Sequence, residues 1–282
     1  MSASSAPQAT DPAVSGNGAG PRLRLGGMAL RNGLLIHGPT SWAIAARAPD
    51  GELSVASGTK PTFGPGVASI PLVRGPLKLL EGFAVVPLAR RSLPAARLPF
   101  EDPRVLLAAA AVTLLSGALR RGRPATLLRE SVAAVLGAAP ALVALRDSDL
   151  AAYHGVEHKA IGAYEQGRAD PREVPKEHER CGSHLVVPLL ILSVAGQLVV
   201  ERALERPGPL ARGIAGVAGV GIAAEMFAWS ERHPDTALAH ALRRPGTEIQ
   251  RLVATREPTD EQLEVGTAAL AEILRAESAA PA

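Results

Sequence analysis

Cysteine, aromatic residues and net charge are all scarce in this chain: 282 residues carry one cysteine, 3% aromatics and a formal charge of +3. Each scarcity excludes something. A single thiol, Cys181, leaves no intramolecular disulfide partner, and a lone cysteine among histidines is more often a ligand or an inert core group than a nucleophile. So small a charge makes no broad basic field, so nucleic acid is not an expected partner. The N-terminus lacks a basic segment leading into an apolar one, so no cleavable signal peptide is expected. What is abundant is aliphatic: 47% of residues are hydrophobic, mostly Ala, Leu and Val gathered in blocks, which is unusual for a soluble globule.

Taken in order, residues 1–21 are small and polar, and cannot bury enough surface to offset the entropy of ordering; they read as a disordered tail. Residues 25–72 change character. Short apolar runs are punctuated by glycine, and Ala48-Pro49-Asp50-Gly51 between two of them signals a β-hairpin, so a small β-containing module is expected here. A helix is expected over 74–92, with Leu77, Leu80, Phe83 and Ala84 as its apolar stripe. Four nearly uncharged blocks follow, at 105–119, 131–145, 185–200 and 213–224. Fifteen or sixteen residues span about 23 Å, short of the roughly 30 Å hydrocarbon core of a bilayer.

Three features nonetheless favour membrane helices over a soluble all-α core. The blocks are apolar all round rather than along one stripe. Gly213, Ala215, Gly216, Gly219 and Gly221 are small residues that let helices approach closely in lipid. Arg120, Arg121, Arg123 and Arg129 cluster at block ends, where they could snorkel to the interface. The fold class read from the sequence is thus a mainly α membrane protein with about four short apolar helices and a small β-containing N-terminal module. A helical membrane domain is expected over 73–230 and a soluble helical tail over 231–282. In that tail Pro245-Gly246 opens a short helix, and Thr259 caps another that runs to about Arg275.

The densest chemistry lies at Tyr153-His154-Gly155-Val156-Glu157-His158-Lys159. His154, Glu157 and His158 stand at i, i+3 and i+4, one side of a helix that Asp147 or Ser148 could cap and Gly167 could end. Two imidazoles one turn apart can share a metal ion, and the carboxylate beside them can orient ligands or act as a base, as in the H-x-x-E-H pattern of inverted zinc hydrolases. A second cluster follows, with His178, Cys181 and His184 three apart, so most of the histidines gather between 154 and 184.

Three separated segments resemble one bacterial family, the YqhQ-like membrane proteins of unknown function, commonly labelled metal-dependent enzymes. The resemblance rests on the 153–159 segment; on His178 with Arg180-Cys181-Gly182; and on Pro245-Gly246, Gln250-Arg251-Leu252, Thr255-Arg256-Glu257-Pro258 and Gln262-Leu263-Glu264-Val265. It implies an integral protein of the bacterial cytoplasmic membrane with a metal-linked function. The site residues it implies are His154, Glu157, His158, His178 and Cys181, and Glu225, an acid deep in an apolar block, falls where the family carries a glutamate. The glycine-rich opening motif departs from the family, with Met28, Asn32 and His37 in place of Gln, Glu and Arg, and His184 is peripheral.

The resulting expectation is a metal-dependent enzyme, a hydrolase by class, holding Zn²⁺ or another divalent ion and partnered by membrane lipid. His154, His158, and His178 or Cys181 would be ligands, with Glu157 as catalytic base and Glu165, Arg180 and Glu225 in support. Two other readings compete. In one, the chain is a non-catalytic scaffold or assembly factor whose His/Cys cluster braces a loop. In the other, a transporter, Glu225 and Gln197 sit in apolar blocks but no internal repeat accompanies them.

Overall fold

In a computed structural model, residues 22–63, 69–121, 125–205 and 207–280 are described. The expected tail, 1–21, and Arg123 lie outside them. Four strands, β1 (Gly26–Leu30), β2 (Gly33–His37), β3 (Ser41–Arg47) and β4 (Leu53–Thr59), form an antiparallel sheet in sequential order. The Asp50-Gly51 turn joins β3 to β4, with Gly51 at φ 90°, where a side chain would be strained. The helices are α1 (Arg74–Ser92), α2 (Pro103–Arg120), α3 (Leu127–Gly137), α4 (Ala139–Ala144), α5 (Ser148–Gln166), α6 (Val186–Ala203), α7 (Pro209–Arg232), α8 (Ala237–Ile249) and α9 (Asp260–Ala279).

Strand alternation sends Leu34, Ile36, Ala43 and Ala45 to one sheet face and Leu35, Trp42, Ile44 and Ala46 to the other, and both faces are covered. The first packs on Tyr153, Val156 and Ile161 of α5 and on Val265, Ala269 and Ile273 of α9. The second packs on Val85, Val86 and Ala89 of α1. This core crosses the divisions expected at 72 and 230, because the sheet is buried between helices drawn from the middle and the end of the chain. Glu277 completes the join: its carboxylate accepts from the Thr40 and Ser41 amides at 2.9 and 2.7 Å, holding α9 to the β2–β3 turn.

Four helical segments, Pro103–Arg120, Leu127–Ala144, Gly182–Ala203 and Pro209–Arg232, are long and apolar enough to cross a membrane. The first two exceed their apolar blocks because side-chain caps start them earlier: Asp102 accepts from the Arg104 amide at 2.8 Å and Thr126 from the Arg129 amide at 3.3 Å. The 18-residue spans reach about 27 Å and the 24-residue span about 36 Å, which brackets a bilayer core. Their surfaces are bare: Leu114, Leu128 and Leu210 are 74%, 77% and 77% exposed. Aliphatic surface on that scale fits an integral membrane protein.

These spans form two hairpins, α2 with α3–α4 and α6 with α7, each leaving the sheet-bearing body and returning to it. An ion pair ties each hairpin at its far end, Arg120 to Glu130 at 2.6 Å and Arg212 to Glu201 at 2.8 Å. Within the α6–α7 pair the small residues act as expected: a Cβ on Gly196 would touch that of Ala215 at 3.5 Å, and one on Gly219 would touch Leu192 at 3.6 Å.

Two local expectations change. On α1 the buried face is Glu81, Val85, Val86 and Ala89, whereas Leu80 and Phe83 of the expected stripe point outward. The helical period was right but its phase was set by the sheet and by a polar contact, the Phe63 amide donating to Glu81 at 2.9 Å. Pro245 does not open a helix but lies inside α8, which starts at Ala237 because Thr236 accepts from the Ala239 amide at 3.2 Å.

Replacing Gly266 with Ala tests the packing that holds α9 on α5, since its Cβ would fall 2.3 Å from Val156 Cγ1. The expected cost is about 1–3 kcal/mol, read as a lower Tm of the full chain in detergent. Gly117→Ala, where nothing lies within 4 Å, leaves Tm unchanged or raised.

Candidate metal centre

The site starts with the ends of α5. Asp147 accepts from the Asp149 and Leu150 amides at 3.0 and 3.5 Å, and Gly167 closes the helix in a left-handed conformation, φ 68°. Between these caps the 3.6-residue period puts His154, Glu157 and His158 on one side. This is no solvated polar face, because Gly155, Val156, Glu157, His158 and Lys159 are all buried.

Gly155 explains how. A Cβ there would sit 2.3 Å from the Arg256 carbonyl oxygen, so only glycine lets the chain at 254–256 lie directly on the helix. The Arg256 amide donates to Ala151 O at 2.9 Å, and His154 Nδ1 then meets Ala254 O at 2.9 Å. On the other flank His158 Nδ1 meets Lys176 O at 2.6 Å. A carbonyl oxygen only accepts, so each Nδ1 carries the hydrogen and a neutral ring presents its Nε2 lone pair. His154 Nε2 lies 3.4 Å from Cys181 Sγ, while His158 Nε2 is buried with no hydrogen-bond partner among the described residues.

The donor atoms of His154, His158 and Cys181 lie within 4.8 Å of one another, so the three could hold a metal ion. Zn–N bonds of about 2.0 Å and Zn–S bonds of about 2.3 Å put tetrahedral ligand atoms roughly 3.3–3.6 Å apart. The His154–Cys181 pair is already at that spacing.

Burial sets the protonation. It pushes the His158 imidazole down to about 2, with His154 adding to the effect, so the ring is neutral at physiological pH. The Cys181 thiol is pushed up to about 11 by burial, against the Ser183 amide that donates to Sγ. Burial also raises Glu157, opposed by His154 and His178. Its carboxyl is packed against β1, where a Cβ on Gly27 would fall 2.8 Å from the carboxyl carbon.

His178, expected beside these ligands, does not join them. Its Nδ1 accepts from the Arg180 amide at 3.3 Å and its Nε2 meets Glu165 at 3.1 Å, so neither nitrogen is free. The ring instead stacks on His158 at 5.6 Å between centroids. Glu165 also pairs with the Arg180 guanidinium. Glu225 lies apart from this group, in α7, where it accepts from Arg74 Nε at 2.7 Å and the Leu72 amide at 3.2 Å. His184 meets Arg243 O at 2.9 Å, and Lys159 holds Val174 O at 2.8 Å and Glu257 at 3.1 Å, so both brace the loops around the centre.

Sequence reasoning assigned no role to Gln250, which is wholly buried. It lies in a π-helical turn, Gln250–Ala254, that continues α8 and delivers the Ala254 carbonyl to His154. Its Oε1 accepts from the His178 amide at 2.7 Å, and its Nε2 donates to His178 O at 3.1 Å and Ser183 Oγ at 2.8 Å. Gly246 cooperates, since a Cβ there would fall 2.4 Å from His184 Nδ1. The Pro245-Gly246, Gln250 and Thr255-Arg256 residues were visible as a pattern, but their partners lie about 70 to 100 residues away and no local signal points there.

Replacing Gln250 with Met keeps the volume and strands the amide and carbonyl of His178. The expected loss is about 1–3 kcal/mol, with faster amide exchange over 178–184; unchanged exchange there would separate Gln250 from the ligand loop.

Residues 148–276, which contain the three candidate ligands and Glu157, Glu165, His178, Arg180 and Gln250, match the family model described as protein of unknown function, DUF1385. The chain is also 33% identical over 136 residues to the uncharacterized protein YqhQ of Bacillus subtilis (strain 168). That match covers 45% of this chain and 41% of the relative, so the chain spans less than half of the relative's length. No solved structure matches. The stretch that carries the candidate ligands is therefore similar to the DUF1385 family, and the chain shares part of its length with YqhQ.

Proposed function

We propose that the protein is a zinc-dependent enzyme of the bacterial cytoplasmic membrane, a hydrolase by class, with His154, His158 and Cys181 as ligands. One observation carries the reading. Both imidazoles are held by main-chain carbonyls so that Nε2 faces the thiol, and one of those nitrogens is buried with no partner among the described residues. An unsatisfied buried acceptor is costly unless something binds it. Two nitrogens and one sulfur suit a borderline-soft ion rather than Mg²⁺ or Ca²⁺, and three ligands leave a tetrahedral position open.

Zinc bound there supplies Lewis acidity. The chain's own contribution is proton handling. Glu157, buried and near the ligands, holds a proton more readily than an ordinary carboxyl, the property wanted of a group that takes and returns one near neutral pH. His178 stacks on His158 and is tied to Glu165, which keeps the ligand ring in place.

The full chain, purified in detergent, is expected to carry one zinc per molecule. His154→Ala with His158→Ala should abolish it, whereas His178→Ala should retain most of it; metal retained in the double variant would exclude this site. Because His158 is already neutral and the Cys181 thiol is protonated, binding releases one thiol proton. Affinity should therefore rise at least about tenfold per pH unit between pH 6 and 8, measured by competition with a chromogenic chelator; a flat profile would remove Cys181 as a thiolate ligand. Glu157→Gln should keep the metal and lose function in cells. Full function in that variant would favour the scaffold reading.

A further inference from the structure

We infer that residues 70–83 form a re-entrant element that dips from the sheet-bearing body into the same half of the bilayer that the returning end of α7 crosses. The partner of its outer face is lipid acyl chain. The anchor is the first observation. Glu225 of α7 accepts from Arg74 Nε at 2.7 Å and from the Leu72 amide at 3.2 Å. Gly75 lies against Ala224, and a Cβ on Gly221 would fall 2.2 Å from Leu72 O, so the segment is seated on the helix backbone itself. Glu225 and Gly221 stand seven and eleven residues before the end of α7 at Arg232, about 10 and 16 Å along the axis. The segment therefore reaches well below the end of a membrane-crossing helix.

The exposed surface is the second observation. Ile70, Leu72, Val73, Leu79, Leu80 and Phe83 all point outward, and Phe83 is 64% exposed. Beside them on α7, Ile222 is also exposed, next to Gly221 on which Leu72 sits. Backbone away from a regular helix survives at such depth only if its polar groups are satisfied. Three amides of this turn are paired: that of Leu72 donates to Glu225, and those of Val73 and Arg74 donate to Ile70 O at 3.3 and 3.0 Å. Leu72 holds a left-handed conformation, φ 67°, the one non-glycine residue to do so among the described residues. That turn starts the climb of α1 back to the sheet. The exposed Lys78, one turn higher, has the stem length to reach headgroups. Glu225, read from sequence as a companion of the metal ligands, is on this account the membrane anchor of α1.

The test uses the unaltered full chain in phosphatidylcholine vesicles, labelled by a carbene precursor dissolved in the bilayer and, separately, by a water-soluble one. The peptide spanning 70–83 should take up the bilayer reagent at the level of the peptide containing Leu114, and little of the aqueous one. The β4 peptide should show the reverse. Strong aqueous labelling of 70–83 would overturn the inference. Absence of both labels would overturn it too, because protein, as a second copy or a partner, would then cover that face. Neither result bears on whether the metal centre is correct.

Discussion

Two main-chain carbonyls, those of Ala254 and Lys176, decide which nitrogen each imidazole offers, and everything about the centre follows from that choice. Each fixes one ring by taking its Nδ1 hydrogen. The Ala254 carbonyl arrives there only because Gly155 has no side chain and because a π-helical turn extends α8 toward α5. The Lys176 carbonyl and the thiol arrive on one loop, and the buried amide of Gln250 holds that loop through His178 and Ser183. Removing any of these supports would leave the histidines in the sequence but not the directed lone pairs.

The same architecture places the centre at a junction. Cys181 immediately precedes the segment Gly182–Ala203, which is apolar enough to enter a membrane. On its other side α5 is gripped between the sheet and α9, with Gly27 and Gly266 allowing the close approaches. The sheet-bearing body thus meets the apolar hairpins at the ligand loop. Burial of Glu157, His158 and Lys159 in one helix is unfavourable by itself, and each must be compensated nearby. Lys159 has carbonyls and Glu257; His158 has one carbonyl and an unused nitrogen.

Much of the fold was legible locally. Asp147, Gly167 and the three-four spacing marked α5, Thr259 marked α9, Asp50-Gly51 marked a hairpin, and aliphatic blocks free of charge marked the crossing helices. What was illegible depends on distant partners. The phase of α1 is set by the sheet, so its apolar stripe could not be assigned inward or outward from spacing. Pro245 reads as a helix start because proline favours that position, but the cap at Thr236 lies further upstream. His178 and Cys181 sit on a loop, where spacing carries no direction, so only coordinates distinguish the ring that stacks from the thiol that faces the pair. Glu225 was conspicuous as an acid in an apolar block, yet its partner, Arg74, lies 151 residues away.

The central claim is that two imidazole Nε2 atoms and one thiolate converge on a single ion. Zinc K-edge absorption of the purified full chain tests it most directly. The account predicts a four-coordinate centre with one sulfur near 2.3 Å and nitrogen or oxygen near 2.0 Å, the sulfur contribution vanishing in Cys181→Ser. A six-coordinate shell of light atoms with no sulfur, unchanged by that substitution, would contradict it.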